Sequence, residues 1–148
     1  MSLDLLAEVR VNAGAVSGLA ILDVSAGNQN FPTVDRLGFR GLAYFIGGDP
    51  NFSGDCNFYM QHSDDAVTWV DVPVDLLRNR SAAAVTAGTA GLLGSLASLG
   101  QRGVLVGTIS KKRYVRLRQG DSATPTGILA FASLRFNPTR APVTQVTW

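Results

Sequence analysis

The sequence predicts an all-β domain, either an antiparallel β-sandwich or a jelly-roll-like barrel. Gly and Pro recur at intervals of about ten residues, which is the turn rhythm of such folds. Several short segments alternate apolar and polar residues, as half-buried strands do. The chain has 148 residues, 46% of them hydrophobic, which is enough for one domain with its own core. We therefore expect a single β domain over residues 1–148.

The first strands are predicted from short apolar runs between turn residues. Residues 17–25 are expected to form a strand with Leu19 and Ile21 on one face. A loop is expected at residues 27–30. Residues 31–46 are expected to hold one or two strands that end at the Gly-Gly-Asp-Pro turn signal of residues 47–50.

The clearest prediction is a hairpin formed by residues 56–62 and 67–72, with a turn at residues 63–66. Trp69 lies just after the turn and is expected to cap one end of the core. Strict alternation places four residues on one face of the first strand: Cys56, Phe58, Met60 and His62.

A second hairpin is predicted from residues 102–109 and 112–118, with its turn at residues 110–111. Alternation separates the second of these strands into an apolar face and a polar face. The apolar face holds Val115 and Leu117, and the polar face holds Tyr114, Arg116 and Arg118. Residues 128–136 are expected to form a last apolar strand.

Two segments differ from this rhythm. Residues 81–101 carry no charge and are predicted to form an inserted loop or arm, because their glycines weaken the helix that the leucine spacing would favour. Residues 137–148 contain two prolines and are predicted to form an extended C-terminal tail. An apolar loop and an apolar tail are expected to pack on a neighbouring subunit. The residues expected to make these assembly contacts are Leu92, Leu93, Leu96, Leu99, Pro142 and Trp148.

The sequence offers no catalytic arrangement, so we predict no enzyme activity and no cofactor. His62 is the only histidine, and six residues of strand would separate it from Cys56 by about 20 Å. No nucleophile elbow or phosphate-binding glycine motif occurs. Asp64 and Asp65 are expected to close the turn rather than to hold a metal, and no metal site is predicted. An alternative is that Trp69, Tyr59 and this turn bind a carbohydrate.

Charge limits the range of partners. Charged residues make up only 16% of the chain, which suggests that part of the surface is covered by another subunit. The net charge is +2, so nucleic acid is not expected as a partner, although Lys111, Lys112 and Arg113 form a short basic run. No membrane partner is predicted, because the longest uncharged segment is only weakly apolar. The single cysteine excludes a disulfide within the chain.

The order of several segments resembles that of small structural proteins of tailed bacteriophages. Residues 61–72 match a Q-x-S-D-D-x-x-T-W-x-D-V hairpin of such proteins. Three later segments follow in the same order as in those proteins: residues 107–117, a Thr- and Gly-rich loop at residues 124–127, and an Ala-Pro-Val sequence at residues 141–143. The similarity covers residues 37–143. The longer segment 81–101 and the continuation to Trp148 depart from the pattern.

This resemblance implies a virion protein encoded among the head genes and assembled in the cytoplasm of the host bacterium. The expected role is a capsid decoration, cement or minor capsid protein that stabilises the shell by adhesive contacts. The expected partners are the major capsid protein, other virion proteins and further copies of the chain in a homo-oligomer. A tail, connector or head-spike component is an alternative within the same class.

Overall fold

A computed structural model describes residues 16–23, 28–48, 54–95, 97, 104–120 and 128–138. These residues form short and long strands, with little helix. The strands are β1 (Val16–Asp23), β2 (Gln29–Asn30), β3 (Val34–Asp35), β4 (Phe39–Gly48), β5 (Asn57–Ser63), β6 (Val70–Asp71), β7 (Leu77–Arg78), β8 (Leu92–Ser95), β9 (Val104–Thr108), β10 (Tyr114–Gly120) and β11 (Ile128–Pro138). A 3-10 turn (Val74–Leu76) and a short helix, α1 (Ala82–Ala87), complete the described elements.

The strands form two antiparallel sheets. Sheet A has the order β1-β11-β4-β9-β7. Sheet B has the order β2-β10-β5-β6, with β3 also paired to β10 and β8 also paired to β5. The predicted all-β fold is confirmed, and it is a sandwich: within the described residues neither sheet closes into a barrel.

The core lies between the two sheets. Tyr44 of sheet A is fully buried, and its hydroxyl donates a hydrogen bond to the carbonyl oxygen of Val115 in sheet B, at 3.4 Å. A buried tyrosine hydroxyl needs such a partner, and the same burial raises the pKa of Tyr44. One apolar cluster therefore joins both sheets. Its members include Leu42, Ile46, Val106, Phe58, Met60, Leu93 and Leu117.

Alternation decides which side chains reach this core. In β5 and the residue before it, Cys56, Phe58, Met60 and His62 are all buried, as the sequence predicts. In β10, Val115 and Leu117 are fully buried, whereas Tyr114, Arg116 and Arg118 remain partly exposed on the opposite face. Each large apolar side chain buried in this way contributes about 1.5–3 kcal/mol to folding.

One of the two predicted hairpins is correct. Strand β5 pairs with β6, with Gln61 opposite Asp71, so the hairpin after residue 56 is confirmed. The hairpin predicted from residues 102–109 and 112–118 is wrong. Strand β9 pairs with β4 and β7 in sheet A, whereas β10 pairs with β5 in sheet B. Residues 109–113 therefore cross between the sheets instead of forming a turn within one sheet.

The segment expected to be an inserted loop or arm is part of the sandwich over residues 81–95. The Ser81 hydroxyl caps α1 by accepting from the Ala84 amide at 3.2 Å, and α1 ends at Gly88, which has a left-handed φ of 61°. Strand β8 then pairs with β5. The expectation of a loop or arm is corrected for these residues. Strand β11 also extends into the predicted tail, to Pro138, and residues 139–148 lie outside the described residues.

Candidate interaction surfaces

The expected assembly contacts divide into three groups. Leu93 has no exposed surface and belongs to the core of its own chain, so the prediction that it contacts a neighbour is wrong for this fold. The reason is that β8 pairs with β5 and alternation turns Leu93 inward. Leu92 is half-buried and pairs with Tyr59, so it lies on the outer face of sheet B. Four expected contacts lie outside the described residues: Leu96, Leu99, Pro142 and Trp148.

His62 contacts a serine that sequence reasoning did not single out. Its Nδ1 lies 2.5 Å from the Ser110 hydroxyl oxygen, which also accepts a hydrogen bond from the Lys112 amide at 3.2 Å. Ser110 has no exposed surface and His62 is 5% exposed. Burial and the nearby Lys112 lower the pKa of His62. A substrate could not reach this serine in the folded protein, so the pair satisfies buried polar groups and fixes the crossing between the sheets.

A buried arginine reinforces the same crossing. The Arg36 guanidinium donates to the carbonyl oxygens of Lys112 and Phe39, and the Arg36 amide donates to the Arg113 carbonyl at 2.9 Å. Arg36 is only 7% exposed, and burial lowers its pKa. The crossing is therefore held from both sides, by His62 and Ser110 within the sandwich and by Arg36 beside it. The sequence carries no local signal for this cluster, because its members come from distant segments.

Asp65 closes the turn after β5, as predicted for the acidic pair. Its carboxylate accepts hydrogen bonds from the amides of Val67 and Thr68, at 2.8 and 2.7 Å, and from the Ser63 hydroxyl at 2.7 Å. These bonds favour the charged carboxylate, so the pKa of Asp65 lies well below its usual value. Asp64 pairs with Lys112 at 2.7 Å. Both carboxylates are thus engaged, which does not favour this turn as a carbohydrate site.

The outer face of sheet B carries guanidinium groups stacked on aromatic rings. Arg116 lies 4.1 Å from the ring centre of Trp69, and Arg118 lies 4.4 Å from that of Tyr59. Trp69 was expected to cap the core; it lies on this outer face instead, because it stacks with an outward-facing arginine. We call this surface, made of Trp69, Arg116, Gln61, Tyr59 and Arg118, the arginine face.

Two neighbours set the positions of these arginines. The Arg116 Nε and Nη2 atoms both donate to the Gln61 side-chain oxygen, at 3.0 and 2.9 Å, and the Gln61 amide donates to Asp71. Gly120 leaves room for the Arg118 guanidinium: a Cβ at this glycine would lie only 2.6 Å from the Arg118 Nη1. Each guanidinium is therefore held over its ring before any ligand binds.

The outer face of sheet A carries apolar side chains around its central strand. Phe45 in the central strand β4 is 47% exposed. The register places Leu105 of β9 on one side of Phe45 and Ala132 of β11 on the other, and both are half-buried. Ala43 pairs with Gly107 in the next outward row. We call Phe45, Leu105, Ala132 and Ala43 the apolar face. The exposed Arg78 of β7 borders it, because Arg78 pairs with Gly107 in the row of Ala43.

Sequence reasoning missed the apolar face, although its signal is visible. Residues 41–46 read Gly-Leu-Ala-Tyr-Phe-Ile, so both faces of β4 are apolar. The inward positions Leu42, Tyr44 and Ile46 fill the core, which leaves Phe45 to the outside. A strand that is apolar on both faces predicts a cover on each side.

In the described residues no group of three or more His, Cys, Asp or Glu side chains is placed to hold a metal ion. None of the described helices is long and apolar enough to cross a membrane. The chain matches no protein-family model, and it is similar to no curated protein and to no solved structure.

Proposed function

We propose that this chain is a bacteriophage virion structural protein, a capsid decoration, cement or minor capsid protein that acts by adhesive contact. The observation that carries the proposal is the exposed Phe45 in the central strand of sheet A, flanked by the uncharged Leu105 and Ala132. Exposed apolar patches of this kind are typical of surfaces that are covered in an assembly. The resemblance of residues 37–143 to small phage structural proteins supports the virion as that assembly.

The mechanism follows from the shape of the sandwich. A flat apolar face can bury Phe45 and Leu105 against a second copy, and each large side chain removed from water contributes about 1.5–3 kcal/mol. Repeated copies around a shell multiply weak contacts of this kind. Binding to the assembled shell and not to its separate subunits then stabilises the shell by mass action.

The apolar face is tested by changing one residue on it. Phe45→Glu places a charge at the centre of the face and should shift the protein from oligomer toward monomer in analytical ultracentrifugation. Val85→Glu is the matched control, because Val85 is 56% exposed but lies on α1, away from sheet A. The control should sediment like the wild type. A wild-type protein that is monomeric at high concentration would contradict the self-association part of the proposal.

The virion assignment needs its own measurement. Mass spectrometry of purified phage particles should detect the chain, with a copy number that is a simple multiple or fraction of that of the major capsid protein. Electron cryomicroscopy of the same particles then separates a head location from a tail, connector or head-spike location. Absence of the chain from purified particles would overturn the assignment.

A further inference from the structure

We propose that the arginine face of sheet B binds an extended acidic segment of a partner protein, with Arg116 and Arg118 receiving its carboxylates. This face is on the opposite side of the sandwich from the apolar face. Failure of one proposal therefore leaves the other standing.

The first step is that these two cations lack an acidic partner. Within the described part of the chain, ion pairs join Lys112 to Asp64 and Arg113 to Asp35, and none reaches Arg116 or Arg118. Within the described residues the Arg118 Nε is fully buried and has no hydrogen-bond acceptor. A carboxylate from outside can therefore reach Arg118 only where its half-buried side chain meets solvent.

The second step is the arrangement of the two side chains. Arg116 and Arg118 are separated by one residue on β10 and share its outer face, so they are about 7 Å apart along the strand. Burial and, after it, the nearby charge of Arg118 lower the pKa of Arg116. Alternate side chains of an extended acidic segment have the same spacing. Two carboxylates of such a segment can therefore meet both guanidiniums and relieve the repulsion between them.

The third step is that the arginines are already ordered. The guanidiniums lie over the rings of Trp69 and Tyr59, and Gln61 accepts two donors from Arg116. Fixing a long charged side chain upon binding costs entropy, and here most of that ordering is already present in the folded protein. Guanidinium groups also bind carboxylates through paired hydrogen bonds of defined geometry.

Nucleic acid fits this face less well. The bases of a single strand stack on open aromatic rings, but Trp69 and Tyr59 are already covered by guanidiniums. Asp35 and Asp71 pair with Tyr114 and Gln61 in the same outward-facing rows, so they would repel a continuous run of phosphates. The net charge of +2 adds little general attraction. An acidic peptide needs only two carboxylates, one for Arg116 and one for Arg118, so its negative charges can stay away from Asp35 and Asp71.

The experiment measures binding of a short synthetic peptide of alternating Glu and Thr, which favours an extended chain. Isothermal titration should show binding that weakens with added salt. Arg118→Gln should reduce the affinity about tenfold or more, because it removes a charge-assisted pair. Lys111→Gln is the matched control: it removes the same charge from an exposed position outside the arginine face and should change the affinity by less than about twofold.

A second variant keeps every charge. Gly120→Ala displaces the Arg118 guanidinium, which its Cβ would meet at 2.6 Å, and presses lightly on the Tyr59 ring at 3.3 Å. The closest atom is the end of a flexible side chain, so the fold should be retained. We expect reduced peptide affinity with an unchanged circular dichroism spectrum. Phe45→Glu should bind the peptide like the wild type, which separates this proposal from the proposed function.

Three outcomes would overturn the inference. The first is that the wild-type protein does not bind the acidic peptide. The second is that Arg118→Gln and Lys111→Gln reduce the affinity equally, which would indicate general charge attraction. The third is that a single-stranded oligothymidylate binds more tightly than the peptide and loses affinity in Arg118→Gln, which would assign the face to nucleic acid.

Discussion

At the scale of single residues, the buried polar groups at the sheet crossing have a clear chemical consequence. His62 is enclosed with the Ser110 hydroxyl, and Lys112 and Arg36 lie close enough to disfavour a positive imidazole, whereas Asp64 acts in the opposite direction. Burial is the largest cause of the lowered pKa of His62, so the fold disfavours the charged imidazole.

We expect the stability of the protein to fall as the pH drops below the ordinary histidine pKa of 6.5. The unfolded chain binds a proton at His62 in this range while the folded chain resists it, so acid favours unfolding. The loss is at most about 1.4 kcal/mol per pH unit for one proton. Urea unfolding curves at about pH 7.5 and about pH 5.5 measure it.

His62→Gln is the control for this prediction. It removes the titrating group, so the free energy of unfolding of the variant should be the same at both pH values. It can differ from that of the wild type by a constant amount. Asp35 and Asp65 have pKa values below their usual 3.8 and titrate at lower pH, outside the window. If wild type and variant respond alike to pH, His62 does not control acid stability.

At the scale of elements, strand β8 places two adjacent leucines on opposite faces of sheet B, although the sequence predicted the same role for both. Leu93 lies in the core and Leu92 on the outer face of sheet B. We expect Leu93→Ala to lower the free energy of unfolding by about 2–5 kcal/mol, because it leaves a cavity between the sheets. Leu92→Ala should cost about 1 kcal/mol or less, since Leu92 is only half-buried.

Chemical denaturation of the two variants provides the measurement. Each removes the same atoms, so Leu92→Ala serves as the matched control for Leu93→Ala. Equal losses would mean that β8 does not dock against β5 with Leu93 inward.

The faces of most strands were predictable from the sequence. Alternation identified the buried side of β5, from Phe58 to His62, and the polar side of β10, because a strand exposes each face at every second residue. The turn at residues 63–66 was predictable because Ser63 and Asp65 bond their own neighbouring amides. These features depend on local chemistry alone.

The pairing of strands was not predictable in the same way. Two alternating segments joined by a short polar stretch fit a hairpin, yet β9 and β10 lie in different sheets. What separates them is the buried cluster of Ser110, His62 and Arg36, whose members are far apart in sequence. The arginine face was missed for a related reason: alternation placed Arg116 and Arg118 together but could not show that Trp69 and Tyr59 support them.

At the scale of the whole molecule, one apolar cluster joins both sheets, so the sandwich should unfold as a unit. Cys56 reports on this, because it lies in the cluster and is 2% exposed. Burial and the adjacent Asp55 raise the pKa of its thiol to about 11. Both effects protect it from thiol reagents in the folded protein.

We expect a thiol reagent to modify Cys56 slowly in the native protein and rapidly once the sandwich unfolds. The extent of modification in brief pulses, measured against urea concentration, should have the same midpoint as the loss of the circular dichroism signal. An identical reaction with a fully unfolded sample gives the upper limit of the rate. Fast modification in the absence of urea would show that the sheets separate locally near Cys56 without global unfolding.

The strand order of sheet A also constrains how the protein can be made. Within the described residues, β1 pairs only with β11, and β4 needs both β9 and β11 as neighbours. A ribosome synthesises β1 before β11, so β1 has no partner until residues 128–138 have emerged. Pairing between distant segments slows folding, because the chain loses the entropy of closing a long loop before the stabilising contacts form. Until β11 is made, β1 and β4 of sheet A lack this partner, and copies produced together can meet before each has folded.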